Sequence, residues 1–139
     1  MFVILWPFFF LKLFIMNLLL KDEVYTIVGH CIEVWKTLGY GFSEVVYKDA
    51  MEVEFLTADL PHIREDELSV FYKGKTLRHK FNSDFTLFDK IIVEVKSGEE
   101  GLNNGVISQT LNYLKVSGFQ IGLIINFGRY RMEYKRLIM

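Results

Sequence analysis

Asp84, Glu94 and Lys96 are the residues of this 139-residue chain whose types and spacing could do chemistry together. Alternation along the segment Ile91 to Lys96 sets Ile91, Val93 and Val95 on one face and Ile92, Glu94 and Lys96 on the other. On the preceding segment Asn82, Asp84 and Thr86 share a face opposite Phe81, Ser83 and Phe85. A turn at Asp89-Lys90 folds the two segments into a hairpin and brings Asp84 opposite Val93 or Glu94, a choice of register that the pattern leaves open by one residue. In the second register two carboxylates face each other across the ladder, about 5 Å apart at Cβ. Like charges so placed destabilise the pair unless something positive lies between them. A hard divalent cation supplies that charge, and Mg²⁺ commonly takes one or two carboxylates plus phosphate and water. Lys96, one pleat along, can hold or activate a water beside such an ion.

Two further polar residues could join. Glu44 lies in the first turn of a predicted helix, where its charge is favourable near the helix dipole whether or not it binds anything. Gln109 lies on a later helix, four residues before Tyr113, where an exposed amide is commonplace.

The elements that must position these groups follow from periodicity. Val24, Ile27, Val28, Cys31, Ile32, Trp35 and Leu38 recur at helical spacing, and Gly39-Tyr40-Gly41 ends that helix. Ser43 is expected to cap a second helix that runs to about Ala58, with Val46, Tyr47, Ala50, Met51 and Phe55 on its apolar side. After Pro61 the pattern predicts strands at 67–72, 77–87 and 91–96, a helix at 105–116, and strands at 120–127 and 130–138. The order is ααβββαββ. The first three strands can pair as antiparallel hairpins, while the crossover through a helix favours parallel pairing of the third and fourth. The expected fold class is α/β, a mixed β-sheet flanked by helices.

Composition limits the alternatives. An apolar fraction of 51% with 16% aromatics excludes a disordered chain. A net charge of −1 gives no global positive field, so contact with nucleic acid must rest on local patches. Two are present: Lys73, Lys75, Arg78, His79 and Lys80, and Lys115, Arg129, Arg131, Lys135 and Arg136. The single cysteine, Cys31, excludes an intramolecular disulfide and an all-cysteine metal cluster, and its apolar helical setting reads as a buried, inert thiol. A reducing, cytoplasmic setting is the expectation.

Residues 1–20 form an apolar leader distinct from a domain at 21–139. The leader lacks the basic start and small-residue cleavage pattern of a signal peptide. Pro7 and Lys12 interrupt a membrane-spanning pattern without forbidding one. The favoured reading is that translation begins at Met16, with a membrane anchor as the alternative.

The chain from about Lys21 to Ile138 resembles the GxxExxY family, placed in the PD-(D/E)XK nuclease superfamily. The name-giving motif stands as Gly41-Phe42-Ser43-Glu44-Val45-Val46-Tyr47. The superfamily Asp corresponds to Asp84, with Ser83 before it where Pro is usual. The Glu-x-Lys corresponds to Glu94-Val95-Lys96, the glutamine helix to Gln109 through Tyr113, and the last apolar strand to Gly122 through Phe127. The resemblance implies a single restriction-endonuclease-like domain with Asp84, Glu94 and Glu44 as ligands of Mg²⁺, or Mn²⁺ in its place. It also implies Lys96, Gln109 and Glu44 as catalytic residues, with Lys96 orienting or deprotonating the attacking water and Gln109 positioning Lys96 or a phosphate. The implied function is metal-dependent hydrolysis of phosphodiester bonds in DNA or RNA, and the implied partners are nucleic acid and a second copy of the chain. The alternative is a non-catalytic nucleic-acid- or protein-binding module that retains the fold.

Overall fold

Glycines with positive φ divide the helical half of the chain. In the computed structural model, which describes residues 2–18, 20–99 and 101–139, a helix α1 (Phe2–Leu18) precedes α2 (Lys21–Leu38) and α3 (Glu44–Thr57). Gly39 at φ 72° and Gly41 at φ 113° turn the chain between α2 and α3, a backbone that side-chain-bearing residues rarely adopt. Ser43 has the extended backbone of an N-cap, but its hydroxyl makes no capping hydrogen bond, so the expected side-chain cap is absent. Tyr47 fixes α3 instead. It is fully buried, stacks on Phe127 with ring centroids 4.3 Å apart, and donates its hydroxyl proton to the Gly39 carbonyl.

The remaining elements are β1 (His62–Tyr72), β2 (Lys75–Leu87), β3 (Ile91–Ser97), α4 (Asn104–Ser117), β4 (Ile121–Phe127) and β5 (Met132–Ile138). They form a five-stranded sheet in the order β1-β2-β3-β4-β5. β3 and β4 run parallel and the other neighbours antiparallel, as the crossover through α4 requires. The sheet separates two apolar clusters. Ile91, Val93 and Val95 pack with Val24, Ile27, Tyr47, Met51 and Phe55 of α2 and α3. Ile92 and Ile124 pack with Val106, Tyr113 and Leu114 of α4. Cys31 is wholly buried in the first cluster, and burial pushes its thiol far up.

Helix α1 stands ahead of the expected order ααβββαββ, β5 starts at Met132 rather than at 130, and two further features depart from the sequence pattern. β1 starts at His62 rather than Glu67, and the backbone pairs His62↔Leu87 through Asp66↔Ser83 carry this charged stretch. An edge strand tolerates such residues because one side of it faces solvent. The alternation expected from Phe81 to Phe85 also breaks: Phe81 packs on the α4 side of the sheet and Phe85 on the α2–α3 side. β2 therefore kinks at its centre, beside Asp84.

Among the described residues no helix is long and apolar enough to cross a membrane. The side chains from Phe8 to Ile15 of α1 are exposed or contribute little to either cluster, whereas Leu20 packs on the first. A chain starting at Met16 is expected to fold with a melting temperature within about 2 °C of the full chain, since the exposed side chains from Phe8 to Ile15 contribute little to stability. Thermal unfolding of both forms by circular dichroism checks this. Loss of the cooperative transition in the shorter form would show that residues 1–15 pack on the domain.

Candidate active site

The site forms where β2 and β3 part. Their ladder runs through Leu87↔Ile91, Thr86↔Ile92 and Phe85↔Val93, and one further step in that register sets Asp84 opposite Glu94. From there the side chains take over from the backbone. The Asp84 N–H donates to Glu94 Oε1 at 3.0 Å, and the Val95 N–H donates to Asp84 Oδ2 at 2.7 Å. Each strand's carboxylate thus caps an amide of the other strand. The two bonds pin the acids at the fork, and the 2.7 Å one to Asp84 has the short length of a bond to an ionised acceptor.

Charge must still be balanced. Glu94 is 3% exposed, and its carboxyl is pushed up to about 8, first by burial and then by the charge of Asp84, with Lys96 pulling the other way. The positive group that contacts the cluster directly is Lys48 of α3. Its ammonium donates to Asp84 Oδ1 at 3.0 Å and to Glu65 Oε1 of β1. Burial alone would lower the Lys48 pKa, but the hydrogen bonds and charges of Glu65 and Asp84 outweigh it and raise the value. Tyr113 of α4 closes the other side. Burial raises its hydroxyl to about 12, reinforced by the charges of Glu94 and Asp84, while a hydrogen bond with Gln109 acts in the opposite sense.

The structure brings some of the sequence candidates together and leaves others apart. Asp84 and Glu94 share the fork. Lys96 lies two residues beyond Glu94, half-buried, in register with Asn126 of β4, and acts on Glu94 through its field. Glu44 is the first residue of α3, half-buried and one turn from Lys48 on the same helix face. Among the described residues no hydrogen bond or ion pair joins it to Asp84, Glu94 or Lys96. Gln109 is exposed and stands one turn before Tyr113 on α4. Lys48 and Glu65 were not among the sequence candidates. The first looks like any helix-surface lysine and the second lies in the charged run Arg64-Glu65-Asp66-Glu67, so neither pattern carried a signal. Asn126 was missed as a site neighbour. It is 2% exposed, and its amide donates to the Gly98 carbonyl at 2.7 Å, tying the loop that follows Lys96 to the end of β4.

Among the described residues no three Asp, Glu, His or Cys side chains converge closely enough to form a metal cage. The donor set still fits a hard divalent ion: two pinned carboxylates, one of them destabilised as an anion by burial, match the one or two carboxylates that Mg²⁺ uses when water and phosphate fill its other positions.

Comparison with known proteins agrees with this fold. A family profile described as the PD-(D/E)XK nuclease superfamily matches residues 21–137. Among solved structures, the crystal structure of a protein designated SSO0001 superposes with a TM-score of 0.54 at 17% identity. The match covers 67% of this chain and 48% of that one, so this chain corresponds to about half of that protein, and at this identity the likeness concerns the fold alone. Comparison with curated proteins gives no match.

The raised Glu94 value has a consequence for stability. Between about 4.5, the ordinary value, and about 8, the folded protein keeps a proton on Glu94 that the unfolded chain has released. Stability from this group is complete below that window and is lost as pH rises through it. In metal-free buffer the wild type should therefore lose melting temperature from pH 5 to pH 8.5 relative to Glu94→Gln, which has no such proton. Parallel melting profiles for the two proteins would show that Glu94 ionises normally.

Proposed function

Because this chain belongs to the PD-(D/E)XK nuclease superfamily, we propose that it is a divalent-metal-dependent nuclease that hydrolyses phosphodiester bonds at the fork between β2 and β3. The observation that carries this reading is the reciprocal capping of Asp84 and Glu94, which holds two carboxylates side by side with Lys96 one pleat away. Asp84 and Glu94 would hold the ion, Mg²⁺ in the first instance and Mn²⁺ in its place. Such an ion, when bound, polarises a phosphoryl oxygen and lowers the pKa of a water molecule.

The remaining roles belong to the chain's own side chains. Lys96 is a compact cation with three donors and can orient the attacking water or take up its proton. Gln109 acts through Tyr113, whose hydroxyl is kept protonated and so remains a donor toward a phosphate oxygen. Glu44, on the helix face that also carries Lys48, extends the polar wall at the mouth of the site. The substrate backbone finds exposed cations on the β1–β2 turn and the start of β2, where Lys73, Lys75 and Arg78 face solvent. A single domain of this size offers little surface to a duplex, so a second copy of the chain is the natural partner in binding one.

One observation favours a second reading. The cation that contacts Asp84 is an ammonium of the chain itself, and three carboxylates do not converge among the described residues. A module that binds nucleic acid without cutting it would have these properties too.

A panel of single- and double-stranded DNA and RNA, incubated with Mg²⁺ or Mn²⁺, separates the two. The nuclease reading predicts cleavage of at least one substrate, abolished by a chelator. It also predicts a rate about 10²- to 10⁴-fold lower in Lys96→Ala, the usual contribution of a positioned proton-transfer group. Retention of nucleic acid without cleavage by either protein would establish the binding module.

A further inference from the structure

The site contains more charge than the two acids at its centre. Arg64↔Phe85 and Asp66↔Ser83 pair across β1 and β2, so Glu65 stands level with Asp84, which in turn stands level with Glu94. Glu65, Asp84 and Glu94 thus stand level on three adjacent strands, without their carboxylates converging into one cage. Glu65 adopts φ 54° inside a strand, a left-handed backbone that a non-glycine residue takes up only when its surroundings impose it. Its carboxylate meets the Lys48 ammonium.

Lys48 is itself a built feature. It is 8% exposed, and lysine is almost never buried so deeply without a partner. The helix that carries it is held against β1 by Arg64, whose guanidinium bonds Asp49 at 2.7 Å and approaches Glu52 at 3.6 Å. The ammonium therefore cannot swing away without leaving its partners unpaired. Asp84 has one oxygen bonded to Lys48 and the other to the Val95 amide. Two-metal hydrolytic sites place their ions about 3.5–4 Å apart, clamping both the attacking and the leaving oxygen. Here the gap between Glu65 and Asp84 already holds a positive charge, the Lys48 ammonium.

We propose that Lys48 permanently fills one of the two cation positions of the Glu65–Asp84–Glu94 row, so that the site takes a single divalent ion on the Glu94 side and Lys48 sets that number. This rests on the metal-dependent reading above and makes Lys48 a positioning residue: it acts through Asp84 and the ion count, not on the substrate. Its removal frees both an oxygen of Asp84 and the carboxylate of Glu65, which together can accept a second ion.

Calorimetric titration of the full chain with Mn²⁺ counts the ions. The expected stoichiometry is one for the wild type and for Lys48→Arg, and two for Lys48→Gln. One ion in Lys48→Gln, or two in the wild type, overturns the proposal while leaving the metal site intact. No binding by any of the three proteins removes the metal-dependent reading itself, and the proposal with it. A second measurement needs no variant. The hydrogen-bonded ammonium of Lys48 should give a slowly exchanging lysine Nζ signal in nuclear magnetic resonance spectra, and that signal should persist at saturating Mg²⁺. Its disappearance on adding Mg²⁺ would mean that the ion displaces Lys48, contrary to the proposal.

Discussion

Two carboxylates held at the mouth of a parting β-ladder need positive charge and donors nearby, and the structure around Asp84 and Glu94 is organised by that need. The backbone of β2 and β3 stops pairing where these acids begin, and the amides left over become their donors. Had the ladder continued, the same amides would have been spent on carbonyl groups. The fork is therefore both the break in the sheet and the means of holding the acids in it. Capping alone leaves the charge unbalanced, because desolvation and mutual repulsion both act against the ionised pair. Lys48 supplies the balance on the Asp84 side, while Glu94, deeper and without a bonded cation, stays costly to ionise.

This requirement reaches well beyond the fork. Lys48 can act only if α3 crosses the sheet at the right height. That height is set by Tyr47, the preceding residue, whose ring lies flat on Phe127 at the end of β4. Trp35 of α2 adds a second tie, donating its indole N–H to the Gly128 carbonyl just beyond the same strand. The end of β4 thus anchors the helical layer, and through Asn126 and Gly98 it also anchors the loop after Lys96. Parallel pairing of β3 with β4 matters for this reason: it brings the end that carries Lys96 beside the end that carries Asn126 and Phe127. On the opposite side of the sheet, α4 contributes Tyr113, whose hydroxyl is pushed up by burial and by the charges of Glu94 and Asp84.

Much of this was legible in the residues. Strict alternation in Ile91 to Lys96 put Glu94 and Lys96 on one face, and the hairpin turn put Asp84 within one residue of its place. The helices and the crossover were legible because apolar stripes with glycine ends are strong local signals. The rest depended on information that one strand or helix does not hold. The side chain of Ser43 leaves its cap bond unmade, while buried Tyr47 ties the first turn of α3 to the core. The first part of β1 is polar because it forms a sheet edge, and only its partner strand reveals it as a strand. Lys48 and Glu65 carried no signal because each looks solvated in its own segment. Their meaning appears only when α3 and β1 meet over Asp84, where Lys48 bonds Glu65 and Asp84, 17 and 36 positions away.

The central claim is that Asp84 and Glu94 form a cation site, and diffraction at the manganese absorption edge from crystals saturated with Mn²⁺ tests it most directly. The account predicts an anomalous peak in contact with both carboxylates, on the side of Asp84 away from Lys48. Saturated crystals with no peak at the fork, and with Glu94 still accepting the bond from the Asp84 amide, would contradict it.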